Sequence, residues 1–266
     1  MFRISTSAHA DRFVLKGALL FALWYDEPHR PTRDADLLGF GPADAENLTT
    51  LFREVAAMDL NDGILFDPAS VRAEAIREDN VYGGMRVNLQ ARLGSARCAL
   101  QVDVGFGDAV TPAAQVVAFP TLLHGFDAPV LRAYPVYTVI AEKYQAMVML
   151  GQANTRLKDF YDLAVIARRT ELDLATLTDA IAATFARRAT TLPATKPLAL
   201  TSAFSDDPIK QRQWQAFINK NRLASDSLGD IVDLLSQLLW LPTERAGKTA
   251  GGGAKKWIPL RATWTH

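Results

Sequence analysis

The sequence predicts an α/β protein: a mixed sheet of roughly four to six strands with helices packed on it, then a helical portion from about residue 134. Three observations carry this. Met85, Val87, Leu89, Ala91 and Leu93 alternate strictly with Arg86, Asn88, Gln90 and Arg92, the period of a half-buried strand. Leu48, Leu51, Phe52 and Val55 fall at i, i+3, i+4 and i+7, the stripe of a helix resting on a sheet. From Val136 onward the apolar spacing is helical, as in Val139, Ile140, Met147 and Leu150.

In chain order, Phe13 to Leu15 is a short apolar stretch, Lys16-Gly17-Ala18 a turn, and Leu19 to Tyr25 an apolar helix. A Pro-containing link leads to a strand bearing Asp34 and Asp36, which Gly39-Phe40-Gly41-Pro42 ends. Asp44 caps a helix from about Ala45 to Met58, and two strand-like pieces follow, Gly63 to Phe66 and Val71 to Ile76. After a turn at Tyr82-Gly83-Gly84 comes the alternating strand, then a Gly94-Ser95 hairpin turn into Arg97 to Val104. Cys98, Leu100, Val102 and Val104 share one face of that strand, Gln101 and Asp103 the other.

A link with Pro112, Pro120, Pro129 and Pro135 ends in an extended Leu131 to Pro135 segment. Helices are expected over Val136 to Leu150, from about Thr155, over Asp173 to Arg188, from Pro208 to about Arg222, and from Ser227 to Trp240, stopping before Pro242. This divides the chain into residues 1–133, 134–242 and a flexible, glycine-containing tail, 243–266, in which Trp257 and Trp264 are candidates for local docking.

Composition excludes several classes. With 49% hydrophobic residues over 266 positions the chain has ample core. Lys plus Arg equal Asp plus Glu at 29 each, so any nucleic-acid partner needs a local basic patch. The single Cys98 leaves no internal disulfide and suits a reducing compartment. The apolar run at Ala18 to Tyr25 falls far short of the ~20 residues of a membrane span, so a cytoplasmic protein with no membrane partner is expected. Gly247-Lys248-Thr249 has Pro242 where a P-loop needs its first glycine, and the four histidines are too scattered for zinc or serine-hydrolase chemistry.

The chemistry gathers in two places. Asp34 and Asp36 project from one strand face about 7 Å apart, where two carboxylates repel unless a cation lies between them; such hard oxygens suit Mg²⁺. The Gly17 turn would aim backbone N–H groups at an anion such as a phosphate. Asp103 is the candidate third carboxylate, with Asp108 as an alternative in a turn where Asp more often bonds its own backbone. Downstream, Asp159 and Asp162 share a helix face flanked by Arg156 and Lys158, an arrangement that also occurs as ordinary solvated pairs.

The order of these motifs is similar to the AbiEii/AbiGii type of nucleotidyltransferase-like toxins, a branch of the DNA polymerase β-type nucleotidyltransferase superfamily. The resemblance rests on L-K-G-A, then Arg30-x-Thr32-x-Asp34-x-Asp36, then Glu142-Lys143 on a helix and T-R-x-K-D-x-x-D-L at 155–163, spanning about residues 13 to 165. It implies a nucleotidyltransferase-like fold in which the helical domain completes the site. It implies catalytic roles for Asp36, Asp103, Lys143 and Asp159, and Mg²⁺ held by Asp34, Asp36 and Asp103. NTP contacts would come from Lys16, Gly17, Ala18, Arg30, Thr32, Lys143, Arg156 and Lys158. An acceptor hydroxyl would attack the α-phosphate and pyrophosphate would leave, with Asp103 or Asp159 taking the proton.

The family further implies the toxin of an abortive-infection, toxin-antitoxin pair, with a cognate antitoxin partner and a tRNA 3′ end as one acceptor. The same chemistry on a protein or small molecule, and an inactive binding module of the same fold, are the rival expectations. Retained carboxylates argue against the inactive module. Two features depart from the family pattern: Gly17-Ala18 in place of Gly-Gly or Gly-Ser, and the short lead MFRISTSAHADR.

Overall fold

The computed structural model describes residues 1–25, 29–32, 34–76, 83–121, 125–247 and 254–265. The chain forms two units, Met1–Asp108 with Ala114–Tyr134, and Ala109–Ala113 with Pro135–His266. The expected turn at Tyr82, Lys248-Thr249 and the Gly251-Gly252-Gly253 run lie outside the described residues.

The first unit contains α1 (Phe2–Thr6), β1 (Phe13–Lys16), α2 (Leu20–Trp24), β2 (Asp34–Gly39), α3 (Ala45–Ala57), β3 (Ile64–Ile76), β4 (Gly84–Leu93), β5 (Ala96–Phe106), β6 (Gln115–Ala118) and β7 (Val130–Ala133). These strands make one mixed sheet in the order β3-β4-β5-β2-β1-β7-β6. At seven strands it is wider than expected, because β6 is a short, largely exposed strand with no alternating apolar pattern. The two pieces expected at 63–76 are one strand, β3, whose register shifts between Asp67 and Arg72. The Asp44 carboxylate accepts from Asn47 N at 2.7 Å and caps α3 as its sequence required. Leu48, Leu51 and Phe52 of α3 and Val87, Leu89 and Val104 of the sheet are all buried, so one face of the sheet is core. The other face carries Asp34, Asp36 and Asp103.

The second unit contains α4 (Val136–Leu150), α5 (Leu157–Arg169), β8 (Leu172–Asp173), α6 (Leu174–Arg187), α7 (Ser202–Ser205), α8 (Pro208–Asn221), α9 (Leu228–Ala246), β9 (Lys256–Ile258) and β10 (Thr263–Trp264). Asp173 and Asp207 cap α6 and α8 through their side chains, with Pro208 in the first turn of α8. One expectation is corrected here. Instead of stopping before Pro242, α9 runs through it to Ala246. A proline removes the N–H that would bond the carbonyl four residues back, and that carbonyl, Leu238 O, accepts instead from Trp264 Nε1 at 3.2 Å.

Trp257 and Trp264, the docking candidates of the tail, do dock. Residues 256–264 form a small antiparallel sheet with β8, where Leu172 pairs with Trp257 and Trp257 with Trp264. Trp257 is fully buried and donates to Ala167 O at 2.6 Å. Trp257→Ala is therefore expected to lower the unfolding free energy by about 3–5 kcal/mol, measured by denaturant titration. A loss below about 1 kcal/mol would show that this segment adds little to the fold.

Candidate active site

In the first unit, strand register builds a row of charge. β1 and β2 are antiparallel with Lys16 opposite Asp36; β2 and β5 are parallel with Asp36 opposite Asp103; β4 and β5 are antiparallel with Arg86 opposite Asp103. Residues directly opposite share a face, so Arg86, Asp103, Asp36 and Lys16 stand side by side across four strands. Asp34, two residues before Asp36, is on the same face opposite Gln101. This is the face away from α3.

Gly17 lies against this row. Its φ of 74° is in the left-handed region, and a Cβ there would overlap the Asp36 carboxylate, with Cγ only 2.6 Å away. Only glycine supplies that backbone without a side chain. Ala18 follows in a single 3-10 turn, Gly17–Leu19, before the short α2. Any phosphate contact at this turn would come from backbone, since Ala18 has no hydroxyl.

Asp103 is tightly held. Arg86 Nε donates to Asp103 Oδ1 at 2.9 Å and Arg86 Nη2 to Oδ2 at 2.8 Å, while Gln101 Nε2 donates to Oδ1 at 3.2 Å. The hydrogen bonds to Asp103, resisted by burial and helped by the charges of Asp103, Asp34 and Glu74, raise the Arg86 pKa above its ordinary value. Lys16 Nζ donates to Asp108 Oδ2 at 2.9 Å, with the Asp108 side chain 8% exposed. Asp108 thus bonds a side chain from β1 rather than only its own turn. Thr32 Oγ1 lies 3.4 Å from Asp34 O, at the start of β2, and Arg30 is half-buried in the link before it.

In the second unit, α4 and α5 bring together Lys143, Asp159 and Asp162. Lys143 Nζ donates to Asp159 Oδ1 at 2.6 Å and to Asp162 Oδ2 at 2.8 Å, and Arg156 Nε donates to Asp159 Oδ2 at 2.8 Å. The two carboxylates are 1% and 0% exposed, so they are costly unless paired. Burial alone would lower the Lys143 pKa, but the charges and hydrogen bonds of Asp159 and Asp162 outweigh it and raise it. Burial would raise Asp159; Lys143 and Arg156 outweigh it and hold that carboxyl below its ordinary range. Asn154 fixes the approach to α5, its Oδ1 accepting from Arg156 N at 2.8 Å and its carbonyl accepting from the buried Lys210 Nζ at 2.9 Å. Lys158 is exposed on α5, apart from this cluster.

Sequence reasoning missed Arg86, although the signal was present. Counting outward from a two-residue Gly94-Ser95 turn, through Leu93 opposite Ala96, puts Arg86 opposite Asp103. It also undervalued Asp108, whose partner on β1 is remote in sequence and invisible to local pattern.

A carboxylate row flanked by fixed cations, set at a glycine turn on the sheet face away from α3, belongs with enzymes that handle phosphates. The class is nucleotidyltransferase. The chain belongs to the AbiEii family, the nucleotidyl transferase toxins of type IV toxin-antitoxin systems, whose sequence profile matches residues 1–234. The fold is similar to that of JHP933 from Helicobacter pylori, with a TM-score of 0.51 and 16% identity over 90% of this chain and 88% of that one. It is also similar to a second H. pylori structure, of a protein assigned as a nucleotidyltransferase, with a TM-score of 0.50 and 16% identity over 94% and 92% of the two chains. No functionally curated protein matches the sequence. Among the described residues no helix is long and apolar enough to cross a membrane.

Proposed function

We propose that this nucleotidyltransferase moves a nucleoside monophosphate from an NTP to the 3′ end of tRNA, acting as the toxin partner of a cognate antitoxin in phage defence. The observation that carries the reading is the row Lys16–Asp36–Asp103–Arg86, with Gly17 pressed against Asp36. The donor set fits a divalent cation at Asp34 and Asp36: two hard carboxylates on one strand face, two residues apart. When bound there, Mg²⁺ would supply positive charge to the reacting phosphate and hydroxyl.

The chain's own groups do the rest. The Gly17-Ala18 backbone approaches a phosphate without side-chain obstruction, and Lys16, held by Asp108, contributes fixed positive charge beside Asp36. Arg30 and Thr32 are assigned to the nucleotide on the family resemblance. On the same resemblance Lys143 is assigned to the triphosphate, and Arg156 and Lys158 to the NTP. Arg156 suits this role, because it gives Nε to Asp159 while 42% of its side chain is exposed. Asp159, held below the usual carboxylate range, is a weak proton acceptor and serves better to position Lys143.

The test is incubation with each NTP labelled at its α-phosphate, Mg²⁺, total RNA and protein extract, beside Asp36→Ala. Label should enter a tRNA-sized band and be absent with the variant. Label on a polypeptide would shift the acceptor to protein. Absence of label from every fraction would remove the transfer reading. Binding of tRNA should weaken steeply as salt rises, as phosphate contacts require.

A further inference from the structure

The pairing of Arg86 with Asp103 bears on how many cations the site holds. Polymerase-type chemistry often uses two metal ions bridged by carboxylates, and Asp103 is the residue placed to complete a second site. Its oxygens are already engaged. Oδ1 accepts from both Arg86 Nε and Gln101 Nε2, and Oδ2 accepts from Arg86 Nη2, in the fork geometry that makes arginine–carboxylate pairs strong and directional. The contact is set by backbone register, since Arg86 and Asp103 are directly opposite across the β4–β5 ladder.

We propose that Arg86 withdraws Asp103 from the metal-binding set, so that the protein holds one divalent cation through Asp34 and Asp36 and uses the guanidinium as its second positive charge. The inference rests on the reading that Asp34 and Asp36 bind the metal. A second ion on Asp103 would lie against a guanidinium that cannot give up its proton. Arginine is always in place, whereas a second ion must be recruited from solution.

The test is a Mn²⁺ titration of the full chain without nucleotide, followed by electron paramagnetic resonance. Wild type should bind one Mn²⁺ per chain, and Asp36→Asn should abolish it. The double variant Arg86→Met/Asp103→Asn, which removes both charges of the pair together, should leave the dissociation constant within about twofold, because loss of a true ligand or its close support costs about tenfold or more. Arg86→Met alone should tighten Mn²⁺ binding about tenfold or add a second ion. Thermal melts check that each variant folds, and the double variant decides the question if Arg86→Met does not. Two ions in wild type, or a tenfold or larger weakening in the double variant, would overturn the proposal. Wild type binding no Mn²⁺ would instead remove the Asp34–Asp36 metal reading and this inference with it.

Discussion

Lys143→Met is expected to cost about 3–5 kcal/mol of folding stability, because it removes the cation that bonds both buried carboxylates, Asp159 and Asp162. Methionine keeps much of the side-chain volume, so the loss reports charge rather than packing. The sign of the pH dependence separates this from a generic defect. In wild type, Asp159 is held below its ordinary 3.8, so its contribution is present above that value and lost as pH falls through the lower folded one. Lys143 is raised above its ordinary 10.5, so its contribution is present below that value and lost as pH climbs past it. Between those limits wild type should show no pH dependence from this cluster. In the variant burial favours the protonated form of a carboxylate, so part of the lost stability returns as pH falls. Denaturant titrations across pH measure this. A pH-independent loss, or one under about 1 kcal/mol, would show that water already reaches the cluster.

Gly17→Ala is expected to reduce nucleotide transfer by about a hundredfold, the scale on which a displacement near 1 Å at a reacting group lowers rate. The added methyl needs space held by the Asp36 carboxylate. The left-handed backbone at φ 74° adds roughly 1–2 kcal/mol of strain for any residue with a Cβ. The loss should fall mainly on turnover, with the protein still folded by circular dichroism. Transfer within a factor of about three of wild type would mean that Asp36 moves aside freely and its position is not critical.

Much of this architecture was legible in local pattern. Strict alternation placed β4 and oriented β5 so that Asp103 opposed Val102 and Val104, and Asp44, Asp173 and Asp207 marked helix starts that the side chains do cap. What remained hidden depends on partners distant in sequence. Pro242 reads as a stop in any local window; it is tolerated because Trp264 satisfies Leu238 O. β6 has no pattern of its own and is a strand only because β7 is beside it. In the site, the carboxylates were visible as residue types at a spacing. The pairing of Arg86 with Asp103 and the grip of Asp108 on Lys16 were not, because those follow from register and from contacts across 17 and 92 residues.

The pairing of β2 with β5 also bears on the order in which the molecule is made. β2 meets β1 through a short local connection, but its other neighbour is encoded more than sixty residues later and runs parallel to it. Long-range parallel pairing carries a large loop-closure cost and is slow to form. During synthesis, a nascent chain therefore carries Gly17, Asp34 and Asp36 well before the strand that aligns Asp103 and Arg86 beside them has emerged. A chain released before residue 103 presents an open edge on β2 and lacks half of the charged row. For an enzyme of a toxin family, completion of translation and completion of the charged row are thus joined by the topology of one sheet.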